Sequence, residues 1–579
     1  MKKTSVLLSI MLVCAMVATC ALAATPEQLV PFSKYDEIVT ISVGRMNNAG
    51  GAFAPGADSE NNAWTQLIKD TLNITFDIKT NGFDVDAADY LNTLTLRVAS
   101  DTIPDTFWIG ESVKESALLK QLVDGGKLAD ITELYSTVIG GQTKERLATV
   151  DTDALLQYLT FNGKQYGIGA GREKYNTALL WVRQDWLDKL GLEVPSTIEE
   201  LEAVALAFVE QKPGGNPNTI GIPFNPSTSG LGGMTGQWMS ALPLFNAFGS
   251  YPDIWIELED GTVAWGGVQP ETKEALALLA DWYQKGVLDK NLVTMKDGDE
   301  VRNTYLSTNG AGLMFNAWWD PWTQWDGLQD TSVKNDETVQ WTPVFAPLNK
   351  DGKFIPKDET VTPGGQVISS KCANPEAVLK AMNLLTDLEL RNPEFEDLRQ
   401  KYLVPMEGIS EQRTNSPFMS TLFQVQGRIL TAQNINDYKA TGVLTLDPVV
   451  ANNVDYIKGA YDYINNNTLA DWYANKDESE IDKYIYQYVG HWAHDVVGNL
   501  YIDADAAGVY SEKLRGFVGT VEAQEDFGAM VDDLQVTTFM QIISGDRPVD
   551  YFDEFVTQWN KLGGDEITKQ VNESVNALK

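Results

Sequence analysis

The stretch EIVTISVG, Glu37 to Gly44, is a β-branched run ending in glycine, and the segments immediately after it decide the fold. ENNAWTQLIKDTL (Glu60–Leu72) spaces its apolar residues as a helix does, and ITFDIKT (Ile74–Thr80) returns to a strand. DAADYLNTLTLRVAS (Asp86–Ser100) is helical again and must stop near Ile103 because Pro104 comes next, and DTFWIG (Asp105–Gly110) reads as a third strand. Alternation of this kind predicts an α/β fold of parallel strands joined by right-handed crossovers, with ligand groups collecting at the carboxyl ends of the strands. Arg45 and Asn47 sit just past the first strand, and Trp108 and Glu111 in and after the third.

A second block opens near NGKQYGIGAG (Asn162–Gly171) and runs through NTALLWVRQDWLDKLGLEVPSTIEELEAVALAFVEQ (Asn176–Gln211). Here Trp181 to Arg183 read as a strand, Asp185 opens a helix that Gly191 closes, and Thr197 or Ser196 caps another. The acidic first turn of that helix, Glu199, Glu200 and Glu202, suits the positive end of its dipole. PETKEALALLADWYQKGVL (Pro270–Leu288) and NPEAVLKAMNLLTDLEL (Asn374–Leu390) are further amphipathic helices, and the chain from about Asp455 onward is mostly helical by spacing.

A length of 579 residues exceeds what one hydrophobic core can serve, so at least two lobes are expected. The formal charge of −36, from 80 acids against 44 bases, argues against nucleic acid and anionic membrane surfaces as partners, since both would be repelled. MKKTSVLLSIMLVCAMVATCALAAT (Met1–Thr25) has a basic start, an apolar run and small residues at Ala21 and Ala23, the pattern of a secretory signal removed before Ala24. The rival reading is a lipoprotein acylated at Cys20, for which Thr19 is a poor neighbour. Either way the protein is exported, to the cell surface or periplasm. Cleavage before Ala24 also removes Cys14 and Cys20, leaving Cys372 with no disulfide partner. No later run approaches 18 apolar residues, so no transmembrane span is expected.

FNAWWDPWTQW, Phe315 to Trp325, gathers Trp318, Trp319, Trp322 and Trp325 around Asp320. Indoles pack cores, because they bury more apolar surface than other side chains. Left partly open in a cleft, they instead suit the C–H face of a sugar ring, whose hydroxyls need partners such as Asp320. Both readings stand on these residues alone.

Several segments resemble extracellular solute-binding proteins of carbohydrate ABC importers, in the long branch that includes alginate- and pectin-oligosaccharide binders. NTALLWVRQDWLDKLGLEVPSTIEELEAVALAF is similar to the family's block of apolar strand, Arg, Asp-Trp-Leu, Lys-Leu-Gly-Leu, Val-Pro and helix. NGKQYGIG resembles its Gly-Lys-x-Tyr-Gly-Ile-Pro segment, and STNGAGLMFNAWW (Ser307–Trp319) its Gly-Lys-Ala-Ala-Met strand leading to a cleft tryptophan. PGGQVISSKCANPEAVLKAMNLLTD (Pro363–Asp387) and MQIISGDRPVDYFDEFVTQWNKLGGDEITKQVNES (Met540–Ser574) resemble a Gly-Gly strand with its helix and the branch's C-terminal signature. The resemblance implies two α/β lobes joined by hinge crossings, with a sugar held in the cleft and delivered to membrane permease subunits. It assigns Trp318 and Trp319 to stacking, lets Trp322 share that role, and leaves Trp325 to packing.

Two departures matter. Gly169 stands where the family has proline, which alters a loop. QKPGGNPNT (Gln211–Thr219) occupies the place of the branch's Asp-Pro-Asp-Gly-Asn calcium loop and has no carboxylate, whereas calcium wants several hard oxygen ligands. No calcium is expected there, and no cofactor or metal elsewhere. His491 and His494, the only histidines, could share a helical face, but two ligands make an incomplete site, and surface or helix-packing roles suit them better. DADAAG (Asp503–Gly508) imitates an EF-hand start and fails at Ala507 and Leu514. No phosphate-cradling glycine loop is present, and a serine hydrolase would need a histidine base that this pair does not recommend.

The expected architecture is a two-lobed periplasmic-binding-protein-like α/β fold. Its N-terminal lobe comprises 36–165 with 360–450, and its C-terminal lobe 166–359 with 451–579. The expected ligand contacts are Arg45, Trp108, Glu111, Tyr166, Arg172, Trp238, Trp318, Trp319, Asp320 and Trp322, with ordinary packing as the alternative for Trp108 and Trp238 and a solvated loop charge for Arg172. The expected function is non-enzymatic: a monomeric hinged clamp captures a neutral or mixed oligosaccharide and passes it to an ABC permease. A uronate would need cations such as Arg45 and Arg172. A secreted polysaccharide-degrading enzyme stays open as an alternative, because among so many acids some pair will stand at glycosidase spacing. A binder of peptides or another solute also stays open.

Overall fold

The computed structural model describes residues 25–578 apart from 48–52, 54–55, 111–112, 148–157, 172–173, 226–233, 293, 296–297, 326–332, 335, 360, 404–414, 419–426 and 467. β1 (Val39–Asn47) is its organising strand. Its first half pairs in parallel with β2 (Ile74–Asp77), and its second half with β3 (Phe83–Asp86) and β4 (Thr106–Ile109). Helix α1 (Ala63–Leu72) makes the first crossover; Asn62 caps it by accepting from Trp64 N and Thr65 N, while the Thr65 hydroxyl receives the Asn62 N–H. Helix α2 (Ala87–Ala99) makes the second. The alternation read from the sequence is therefore present, with β3 as an unforeseen addition. Gly82 permits the tight passage into β3, because a Cβ there would lie 2.2 Å from the Val43 carbonyl oxygen.

The rest of this sheet departs from the all-parallel expectation. The strand Val361–Ile368 runs antiparallel to β4, and Gly167–Gly171 pairs antiparallel on its far side. Gly169 thus lies in an edge strand opposite Gly365, not in a loop. Residues 167–171 are thus part of this sheet, a few positions past the lobe boundary expected at 165.

A second sheet has Ala178–Arg183 at its centre, flanked antiparallel by Leu313–Ala317 and Trp341–Val344. All six residues of the central strand are buried, as its unbroken apolar reading requires of a strand covered on both faces. The next helix, Gln184–Leu190, stops at Gly191 in the left-handed region (φ 65°), and Thr197 caps Ile198–Gln211 in a capping box with Glu200. Each sheet has its own large core, one built from residues such as Val43, Leu67, Phe107 and Leu384, the other from Leu180, Trp186, Phe245 and Phe539. The segments 353–358 and 509–518 run side by side, with Phe354 bridged in parallel to Tyr510 and Lys357 to Lys513; Phe354 and Tyr510 pack in a third core with Trp181, while Val518 packs in the first.

The helix Gly427–Thr441 falls within the segment expected to complete the N-terminal lobe. It packs against Val454–Asn466, against Val497–Ala506 and against the π-helical segment Gly490–Val496. Its packing partners thus lie later in the chain, between 454 and 506. Asp503 to Ala506 are helical, and the carboxylate of Asp505 accepts the Tyr175 hydroxyl at 2.5 Å.

Candidate functional site: the tryptophan loop

The strand Leu313–Ala317 delivers its chain directly into Trp318, and a buried polar knot fixes the turn. Asn316 Nδ2 donates to Asp320 Oδ1 at 2.6 Å, Met239 N–H donates to Asn316 Oδ1 at 2.7 Å, and the Thr323 hydroxyl donates to the Asp320 carbonyl at 2.8 Å. Asp320 is 1% exposed and opens the helix Asp320–Trp325. It was expected to meet ligand hydroxyls; its place in the structure is inside the loop that presents the indoles.

The neighbouring tryptophans have unlike surroundings. Trp318 donates from Nε1 to Asn176 Oδ1 at 2.9 Å, carries the Arg428 guanidinium 3.0 Å from its ring centre, and meets Trp322 and His494 edge-on at 5.5 Å each. Trp322 donates to the Tyr456 hydroxyl at 3.1 Å and lies 5.6 Å from the His494 ring. Trp319 turns away from this cluster. It stacks on Trp238 with centroids 5.3 Å apart and planes 15° from parallel, and Arg302 sits 5.2 Å from the centre of the Trp238 ring. At 36% exposure Trp319 is the only exposed aromatic side chain among the described residues.

Of the other candidates, Arg45 and Trp108 stand on the first sheet and Tyr166 immediately before its edge strand Gly167–Gly171. Arg45 is 2% exposed; its Nη1 pairs with Asp84 Oδ1 at 2.8 Å and its Nε donates to the Ser416 carbonyl at 3.2 Å. Trp108 is half-buried, its backbone exchanging hydrogen bonds with the buried Tyr90 hydroxyl. Tyr166 is half-buried with its ring 6.3 Å from Phe161. Glu111 and Arg172 lie outside the described residues, as does the Trp325 side chain.

Asn176, Arg302, Arg428, Tyr456 and His494 were not among the sequence candidates. Only His494 carried a signal, the HWAH spacing, from which a surface or helix-packing role was expected over an incomplete metal site; nothing in that spacing pointed to the tryptophans. The two histidines separate in the structure. His491 stacks on Tyr463 at 4.4 Å, while His494 is buried beside the tryptophans, its imidazole held well below its ordinary pKa by burial and then by Arg428. Among the described residues no group of three or more His, Cys, Asp or Glu could hold a metal ion. In the loop Gln211–Thr219, Lys212 Nζ donates to the Pro217 carbonyl at 2.6 Å and Lys189 Nζ to the Pro213 carbonyl at 2.7 Å. Two ammonium groups thus occupy backbone acceptors of this loop. Among the described residues no helix is long and apolar enough to cross a membrane.

Residues 57–389 match the family model described as bacterial extracellular solute-binding protein. The chain is 33% identical over 127 residues to the fructooligosaccharide ABC transporter substrate-binding protein FusA of Streptococcus pneumoniae, a match covering 21% of this chain and 22% of that one. It is 22% identical over 436 residues to lipoprotein LipO of Bacillus subtilis, covering 74% of each. Among solved structures it is similar to alginate-binding protein AlgQ2 without calcium ion, with a TM-score of 0.60 at 17% identity over 94% of this chain and 99% of that one. That likeness extends the two-lobed fold over nearly the whole length.

Proposed function

The chain belongs to the family of bacterial extracellular solute-binding proteins, and from that premise we propose that it is the ligand-capturing component of an ABC importer for a neutral oligosaccharide. One observation carries the sugar reading: Trp319, the exposed aromatic, is braced from behind by Trp238 and Arg302. An open indole face on a rigid support is a platform for the C–H face of a sugar ring. The partial similarity to FusA, a fructooligosaccharide binder by name, points the same way. Neutral ligand is favoured because Arg45, the expected cation for a uronate, is buried against Asp84 in a protein of formal charge −36.

In this reading the ligand enters between the two lobes, stacks on Trp319 and is enclosed as the lobes close about the segments that join them. Affinity comes from contacts that exist only in the closed arrangement, so the ligand shifts a population and no bond is made or broken. Delivery is to the membrane subunits of the importer, by a monomer that needs no cofactor.

Thermal unfolding of residues 24–579 against neutral and uronate-containing oligosaccharides, with analysis for products, tests this. A bound sugar at about a hundred times its dissociation constant stabilises the folded state by about 2.7 kcal/mol. A shift with neutral sugars and no product is expected. Turnover would establish an enzyme instead, and a shift confined to uronates would reverse the choice of ligand.

A further inference from the structure

We infer that His494 is a positioning residue for the tryptophan loop, a neutral ring that seats Trp318 and Trp322 and unseats them when it takes up a proton. The inference rests on the loop being the ligand platform proposed above. His494 is 4% exposed, and neither ring nitrogen finds a hydrogen-bond partner among the described residues. Its ring lies 5.5 Å from Trp318, 5.6 Å from Trp322 and 4.9 Å from Tyr456. An imidazole in such a place serves as an aromatic spacer. A buried ring with two unused polar atoms is costly, and a group kept despite that cost is a candidate for function.

Local backbone geometry puts it there. Gly490 to Val496 form a π-helical segment, a local widening that often marks functional positions. Gly490 lets this segment close on the helix Val454–Asn466, because a Cβ there would lie 2.3 Å from the Tyr456 carbonyl oxygen. The imidazole is thereby clamped between that helix and the tryptophan loop.

The charged and titratable surroundings set the consequence. The helix Gly427–Thr441 contributes Arg428, whose guanidinium lies over Trp318, and Lys439, which is bound to Asp495 at 3.0 Å. The helix Val454–Asn466 contributes Tyr456, while its Asp455 is paired with Arg391. Ile481–Val489 contributes Tyr486, which packs on Tyr456, and Tyr488. The tryptophan loop contributes Asp320, bonded to Asn316, and the segment of His494 itself contributes His491 and Asp495, which lie 3.4 Å apart. The acids are therefore engaged elsewhere, and the charge that depresses the His494 pKa is that of Arg428. A proton on His494 would create a second buried cation beside the first. With its pKa held below the ordinary imidazole value of about 6.5, His494 in the native protein resists that proton while the unfolded chain accepts it. The stability contribution is therefore complete above that pH and is lost as pH falls beneath it.

The test compares the full mature chain with His494→Phe and His494→Gln between pH 7.5 and 5. Three readouts are taken: acrylamide quenching of indole emission, the ligand-free unfolding midpoint, and affinity for whichever oligosaccharide the panel identifies. In the unsubstituted protein, acid is expected to raise quenching, to lower the midpoint more than in the variants, and to weaken binding towards the limiting slope of about tenfold per pH unit. The Phe variant should show flat quenching and affinity over this range. Should it not fold, the Gln variant, also uncharged, decides. Parallel pH profiles in all three proteins, or a flat one in the unsubstituted protein, would overturn the inference. If no sugar binds at all, the ligand reading fails, while quenching and midpoint still judge His494.

Discussion

At the carboxyl end of β1 the protein places a cation and neutralises it, Arg45 lying 2% exposed with Asp84 at 2.8 Å. At the carboxyl end of Leu313–Ala317 it places indoles and leaves one open, Trp319 at 36% exposure. A buried charge needs its partner close by, because desolvation without one is expensive, so an arginine at a strand end is readily absorbed into the fold. An indole has no such need. It can be braced on one face and stay open on the other, which makes it the better surface for an uncharged ligand.

The most direct challenge to this contrast is Arg45→Met. It should destabilise the protein by about 3 kcal/mol, seen as a lowered unfolding midpoint, because Asp84 then loses its charge partner; a loss confined to uronate binding, with stability intact, would make Arg45 a ligand residue after all. Trp319→Ala should act the other way. Sugar affinity should fall about 10- to 100-fold by calorimetric titration, a cost of about 1.4–2.7 kcal/mol, while ligand-free stability changes by less than about 0.5 kcal/mol. Equal loss of both would show Trp319 to be packing.

Smaller effects refine the contrast. Lys212→Met should cost about 1 kcal/mol of stability, since it removes one charge-assisted hydrogen bond to Pro217 O, and a chelator should leave both midpoint and affinity unchanged. A chelator-sensitive midpoint would reveal a metal that this loop was not expected to hold. The smallest effect concerns Cys372, whose thiol burial, and then Asp105, push up to about 12. Because the thiolate is the reactive form, a thiol reagent at pH 8 should label the native protein far more slowly than the unfolded chain.

Much of the framework was legible in the sequence. Glu37 to Gly110 alternated between the two periodicities, and β1, β2 and β4 stand where the pattern put them. Gly191 and Thr197 closed and opened their helices because their terminal preferences are local chemistry. The antiparallel direction of Val361–Ile368 was not legible, since a strand's own residues do not state which way its neighbour runs. Nor were the packing partners of Gly427–Thr441, whose weakly patterned surface takes its meaning from the helices it meets.

The site divides along the same line. The amino-acid order alone established that the chain is acidic, that it folds as two α/β lobes, and that four tryptophans come after one strand, because composition and short-range spacing are properties of the chain alone. Packing in three dimensions settled which indole is open, that Asp320 serves Asn316, that Arg45 is spent on Asp84, and that Arg428 and His494 stand behind Trp318. Those outcomes depend on contacts between residues up to 176 positions apart, as His494 is from Trp318, and no local preference encodes exposure or a partner at that range.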